Sequence, residues 1–313
     1  MKTFPSLVQA MALAVLSTAS CAESTMQCPP GDGVALQILG SGGPIADDGR
    51  ASTGYVVWVV GQSRVLIDAG GGTFLRFGES GADFTQLDFV GLSHFHTDHS
   101  ADFPALLKSG NFSSRERPLP LAGPGAGGPF PGLVSYMTSL LDPDSGAYGY
   151  LSGYLDGSGG LVKLEPVEVS REQTAAVRVF GEDDGEITVD ALPVPHGIVP
   201  ALGFRVRARD VTIVFASDQN GSNSAFIDFA EGATALVMHM PIPESATGGA
   251  LQLHAKPGRI AEIAAQASAE KLVLSHFMGR SLQDLAGNVN LVREGFGGEI
   301  VVAQDLACVV LTD

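Results

Sequence analysis

The chain of 313 residues carries 34 acidic side chains against 18 basic ones, a formal net charge of −16 near neutrality, and 45% hydrophobic residues. The hydrophobic content supports a sizeable core. The negative charge argues against long-range attraction to nucleic-acid backbones or anionic membranes, which needs clustered Lys and Arg, so a polymeric RNA substrate is disfavoured.

In chain order, residues 1–22 read as a signal peptide. Lys2 supplies the positive start, Leu7 to Leu16 an apolar run too short to span a bilayer, and Ser17 to Ala22 small residues suited to cleavage. Cleavage after Ala22 gives a periplasmic or secreted protein. The alternative site precedes Cys21, where Thr18-Ala19-Ser20-Cys21 loosely resembles a bacterial lipoprotein box and would place a lipid anchor on Cys21. No transmembrane segment is read elsewhere. In an oxidising compartment Cys28 and Cys308 can pair and tie the chain ends together, with two isolated buried thiols as the alternative.

Beyond the signal, apolar β-rich runs alternate with glycine-rich turns. Strands are predicted at 34–39, 54–60, 65–67 and 87–92, and a first helix at 103–108. Residues 110–165 are the least regular part, with a short helix at 133–141. They read as a surface excursion with tyrosine anchors or as a flap over an active site. Strand signals resume at 167–169, 176–180, 187–193, 203–208, 211–216 and 235–238. A helix is predicted at 257–269, where Pro257 suits the first turn and Ile260, Ile263, Ala264 and Ala267 form a stripe; strands follow at 271–275 and 299–303. Residues 23–313 therefore read as one α/β domain.

The chemistry concentrates in Ser93-His94-Phe95-His96-Thr97-Asp98-His99-Ser100, which holds three of the chain's seven histidines. Side chains two apart on an extended segment point the same way, so His94 and His96 can grip one ion while Asp98 and His99 face a second position. Imidazole and carboxylate are the usual ligands of catalytic zinc and related metals. Three more polar residues, His196, Asp218 and His276, sit where apolar strands run out, the edge at which α/β sheets gather ligands.

The string His94-Phe95-His96-Thr97-Asp98-His99, followed in order by His196, Asp218 and His276, resembles the metallo-β-lactamase fold, a four-layer αββα sandwich around a dinuclear metal site. The resemblance runs from Leu36 to the last strand and includes Leu66-Ile67-Asp68-Ala69-Gly70. It implies two divalent metal ions, zinc being expected. His94, His96 and His196 would hold one ion, Asp98, His99 and His276 the other, and Asp218 would bridge them. Asp68 would stand behind the ligands.

A bridging aspartate points away from true β-lactamases of this fold. The segment from His254-Ala255-Lys256-Pro257 to Ser275-His276-Phe277 resembles the RNase Z-like branch, which includes tRNA-processing nucleases, cyclic-nucleotide phosphodiesterases and arylsulfatases. That likeness implies His254 as a catalytic-pocket histidine beside Asp218. Three departures stand out. His196 and Asp218 are only 22 positions apart, leaving no room for the long arm that grips RNA in tRNA-processing members. Met240 follows His239 where Glu is usual, so His239 is read as structural, and Gln219 replaces the common Thr. The expectation is an exported metal-dependent hydrolase of a small phosphodiester or sulfate ester, acting through water activated between the ions and having no nucleic-acid polymer as partner. A lactonase or β-lactamase-like hydrolase, and a metal-binding protein without turnover, are the alternatives. A homo-oligomer is compatible with the sequence.

Overall fold

Among the described residues of a computed structural model, Cys28 and 31–312, the apolar runs become two seven-stranded sheets. The predicted signal peptide, with Ala22 and Cys21, lies outside them. The first sheet contains β1 (Val34–Gly40), β2 (Gly54–Val59), β3 (Gln62–Ile67), β4 (Phe89–Gly91), β5 (Leu119–Pro124) and β6 (Leu164–Val169). The second contains β7 (Val177–Phe180), β8 (Ile187–His196), β9 (Val199–Ala208), β10 (Val211–Phe215), β11 (Ala235–His239), β12 (Lys271–Ser275) and β13 (Glu299–Val302). The last strand, β14 (Cys308–Val310), returns to pair antiparallel with β1.

Each sheet is antiparallel in its first half and parallel in its second. Neighbours from β1 to β3 and from β7 to β10 pair antiparallel, whereas β3 to β6 and β10 to β13 run parallel. Parallel neighbours require crossovers, and these carry helices such as Phe103–Gly110, Leu133–Leu141, Pro257–Gln266 and Leu285–Gly295. Helices therefore cover the outer faces, giving the expected αββα order.

Alternation along the strands fills both interfaces. Leu36, Ile38, Val57, Val65 and Phe89 face the second sheet, where Val189, Phe204, Val206 and Ile213 meet them. Tyr55 packs on Phe215 at 5.4 Å between ring centroids, and Phe89 meets Phe204 edge-on at 6.2 Å. Val56, Trp58, Leu66 and Val90 face the other way, onto Phe103, Leu107, Leu133 and Met137 of the helices. Each such large side chain stabilises the fold by roughly 1.5–3 kcal/mol relative to exposure.

Residues 110–165 are a correction. They supply β5 and the first two residues of β6, which extend the first sheet, and Tyr136 and Tyr154 fasten the segment through hydroxyl bonds to the carbonyls of Ser100 at 3.1 Å and Leu107 at 2.7 Å. This is a layer of the fold and not a flap. Pro120, Pro124 and Pro166 lie within these strands and disguised them, since proline ordinarily marks a loop or a sheet edge. The helices Thr73–Glu79 and Leu285–Gly295 also went unread, because Gly78, Gly287 and two asparagines lower local propensity. Asp284 starts the latter by accepting from Gly287 N–H at 3.1 Å.

Of the two fates open to the cysteines, the structure has the bridge: Cys28 and Cys308 are disulfide-bonded, with Cα atoms 5.2 Å apart across a separation of 280 residues. Without reductant, Cys308→Ser should lower unfolding free energy by about 2–4 kcal/mol in chemical denaturation. Adding reductant should bring the parent protein to the same midpoint; equal stability of the two without reductant contradicts a bridging role.

Candidate active site

Strand ends deliver the polar cluster, and several do so on strained backbone. Asp68 directly follows β3 at φ 61°, Ser217 precedes Asp218 after β10 at φ 55°, and His276 directly follows β12 at φ 55°. A non-glycine residue in this left-handed region costs on the order of 1–3 kcal/mol, so the packed strands behind must enforce it. Backbones also approach closely here. A Cβ on Gly70 would lie 2.1 Å from the carbonyl oxygen of Asp98, and one on Gly43 would lie 2.9 Å from the His276 ring.

After β4 the chain stays extended through His94 and His96, and then Thr97–Ser100 forms one helical turn with His96 at its N-cap. The change of conformation divides the motif between two positions. His94 Nε2 lies 3.0 Å from His96 Nδ1, and nitrogens of His94, His96 and His196 all fall within 4.8 Å of one another. Asp98 and His99 turn instead towards His276, whose Nε2 is 3.2 Å from both Asp98 Oδ2 and His99 Nε2. Asp218 stands between the groups. Its Oδ2 is 3.6 Å from His196 Nε2 and 3.8 Å from His99 Nε2, and its Oδ1 is 3.4 Å from His276 Nε2.

The seven residues singled out as ligands thus converge, and their chemistry fits a pair of divalent ions. His196 Nε2 and His254 Nδ1 are buried without a hydrogen-bond partner. Such orphaned groups are costly unless another species satisfies them. Burial and the neighbouring imidazoles hold His94 well below the usual histidine range and lower His96 as well, leaving neutral nitrogens. Burial would raise Asp98 and Asp218. At Asp98 the hydrogen bond of His276 and the charges of His99 and His276 outweigh it; at Asp218 the charge of His276, the hydrogen bond of His239 and the charge of His99 do, and both carboxylates stay ionised.

A second set of contacts fixes the ring orientations. Asp68 accepts from the Ser93 N–H at 2.7 Å, the Ser93 hydroxyl at 2.8 Å and His99 Nδ1 at 2.8 Å, which turns His99 Nε2 towards the site. His196 Nδ1 similarly donates to the Leu253 carbonyl at 3.0 Å. Burial opposes a proton on His99, but the Asp68 carboxylate prevails and raises it to about 9.

His239, read from sequence as structural, ends β11 and contacts Asp218 through Nδ1 to Oδ1 at 2.7 Å, with the Tyr55 hydroxyl 3.2 Å from its other nitrogen. The strand-end rule that found His196 and His276 applied to it as well. His254 lies at the edge of the cluster, 3.8 Å from Asp218 Oδ2, and the Ala255 N–H donates to the Gln219 carbonyl at 2.8 Å to hold it there. Burial pushes His254 down to about 4, against the pull of Asp218. A pocket of about 500 Å³ opens over the cluster, walled by Phe95 and Arg280. Arg280 carried no local signal in the sequence; its Nε is tied to the Pro241 carbonyl at 3.0 Å.

Residues 63–277 match the family described as the Beta-lactamase superfamily domain. The chain belongs to the beta-lactamase superfamily. Ribonuclease Z of Mycolicibacterium gilvum is 30% identical over 256 residues, covering 78% of this chain and 84% of that protein. Among solved structures, the metallo-beta-lactamase fold protein YhfI from Bacillus subtilis superposes with a TM-score of 0.69 at 21% identity, covering 90% of this chain and 100% of the other. Human tRNase Z, short form, gives 0.67 at 18%, covering 89% and 100%. This superfamily member is a metal-dependent hydrolase acting on ester bonds.

Two expectations need correction. The sequence favoured small phosphodiesters or sulfate esters as the hydrolase's substrates, and it set aside nucleic-acid polymers as partners. Relatives named Ribonuclease Z, matched over most of their length, overturn both. One mistaken step was to weigh whole-chain charge, beside the short spacing of His196 and Asp218 and the export signal, because −16 averaged over 313 residues says little about the field within a pocket that holds Arg280.

Because His99 must lose a proton before its Nε2 can bind an ion, metal affinity should rise about tenfold per pH unit between pH 7 and 9 and level off above. A competing chelating dye measures it, and an affinity flat across that window contradicts the role of His99. Asp68→Asn should weaken binding about 10–100-fold even above pH 10, where proton competition has gone.

Proposed function

We propose that this hydrolase is a ribonuclease of the ribonuclease Z type, cleaving phosphodiester bonds of RNA at a pair of divalent ions. His94, His96 and His196 would hold one ion, and Asp98, His99 and His276 the other, with Asp218 between. The observation that carries this reading is the Asp218 carboxylate, which reaches nitrogens of both groups within 3.4 to 3.8 Å. The imidazole-rich donor set favours zinc over magnesium or calcium, which prefer all-oxygen ligands. The ribonuclease Z relatives support RNA as the polymer.

Bound there, the ions supply Lewis acidity and a water acidic enough to attack near neutral pH. The chain's own part is positioning and charge. Asp68 and the Leu253 carbonyl aim two imidazoles inward, and His239 holds one oxygen of Asp218. Arg280, fixed at the pocket wall, can pair with a non-bridging phosphate oxygen. With its pKa near 4, His254 is neutral at working pH, so it acts as a hydrogen-bond donor to the leaving oxygen and not as a charged acid. Phe95, stacked on Tyr136 at 4.4 Å, makes the apolar wall opposite.

The test offers purified protein a 3′-extended precursor tRNA, an unstructured RNA and an aryl sulfate. RNA should be cut, and dialysis against a chelator should abolish cutting until zinc is restored. His254→Ala should lower kcat by about 10²–10³-fold, the loss of one hydrogen-bond donor to the developing charge, while two metals per chain remain. Turnover confined to the sulfate, with RNA left intact, would overturn the proposal.

A further inference from the structure

On the far side of His196 from the metal pocket lies a second cavity, of about 380 Å³, with His196 in the wall of both. Its construction is rigid. Pairing of β8 with β7 ends at Ala191, so Pro193 and Pro195 lie on an edge where no strand needs their missing N–H groups. Their carbonyls accept instead from the Asn223 side chain at 3.2 Å and the Asn220 N–H at 3.0 Å, which pins the 220–223 loop as a second wall. The connection between β6 and β7 closes the third side with Arg171, Gln173 and Thr174.

The charge of this cavity runs against that of the chain. Among the described residues no Asp or Glu lines it and Arg171 is its only permanent cation, in a protein with 34 acidic and 18 basic side chains. Arg171 also lies across Gly127, where a Cβ would come within 2.8 Å of its Nη1, so the guanidinium is braced by backbone. Its one ion pair among the described residues, to Glu172 at 3.6 Å, involves a side chain 86% exposed and is weak competition for a ligand. The remaining polar groups, from Thr174, Ser222 and Gln173, are the neutral partners that sugar and phosphate oxygens use.

Resting on the ribonuclease reading, we infer that this cavity is a subsite for the RNA strand beside the cleaved bond, with Arg171 binding the neighbouring phosphate. The strand would pass over His196 from the metal pocket into the cavity. This gives the hydrolase a local hold on RNA without an inserted arm.

The experiment uses full-length protein carrying His254→Ala, which slows cutting enough for binding to be read before the RNA is consumed, and measures binding of a fluorescent single-stranded RNA from 50 to 300 mM salt. Adding Arg171→Ala should raise Kd about tenfold, the loss of one charged contact. It should also reduce the slope of log Kd against log salt by about 0.7, the value for one phosphate on a single strand. Arg171→Lys should keep the slope and recover part of the affinity, with metal content unchanged in every variant. If RNA binds but Arg171→Ala changes neither Kd nor slope, the subsite is wrong and the ribonuclease reading stands. If the parent protein neither binds nor cuts RNA, both fall together.

Discussion

A carboxylate buried to 2% exposure at the meeting point of the two sheets is the constraint on which the rest depends. Asp218 stays ionised although its desolvation opposes that, and the uncompensated charge would cost several kcal/mol. Compensation comes from His196, His99, His276 and His239, which reach it from the ends of β8, the turn after β4, and the ends of β12 and β11. None of these is close to Asp218 in sequence. The strands must therefore end at the right height, and the interleaved inner faces around Tyr55, Phe89, Phe204 and Phe215 fix that height. Left-handed backbone at Asp68, Ser217 and His276 shows the same priority, since each gives up local stability to aim a functional group.

Much of this was legible in the sequence because the pattern changes where the backbone changes. The alternation of His94 and His96 reports an extended segment, and the adjacent Asp98 and His99 report a turn of helix, so one motif displays both ligand directions. His196, Asp218 and His276 were readable through the apolar runs that precede them. His239 satisfies the same rule, but Met240 after it departs from the pattern of the RNase Z-like branch, and its contact with Asp218 depends on β11 lying beside β10. Arg280 and Arg171 had no signal at all, since an arginine in a loop is defined by the cavity it lines. In residues 110–165, composition misled: prolines and glycines suggested a loose excursion, and neighbouring strands supply the pairing that makes β5 and β6.

The error over substrate has a physical root as well. Net charge governs interactions over distances comparable to the screening length of about 10 Å, and beyond that it fades in salt. Recognition of a phosphate inside a pocket acts at hydrogen-bond distance, where two divalent ions and one or two arginines outweigh acidic residues spread over the surface. A strongly acidic protein can bind a polyanion if its few cations are concentrated and the carboxylates are elsewhere. The absence of Asp and Glu from the cavity beside His196 fits that arrangement.

The hairpin of β8 and β9 joins these arguments. Its ten-residue strands pair from Ile187 with Ala208 up to His196 with Val199, so the turn at Gly197-Ile198 carries no inserted segment among the described residues. His196 is therefore held by a full ladder on one side and by the Leu253 carbonyl on the other. A residue fixed in this way can face two cavities at once without moving. Shortness in this hairpin, which looked like the loss of an RNA-gripping arm, also leaves the groove on both sides of His196 open to an extended strand.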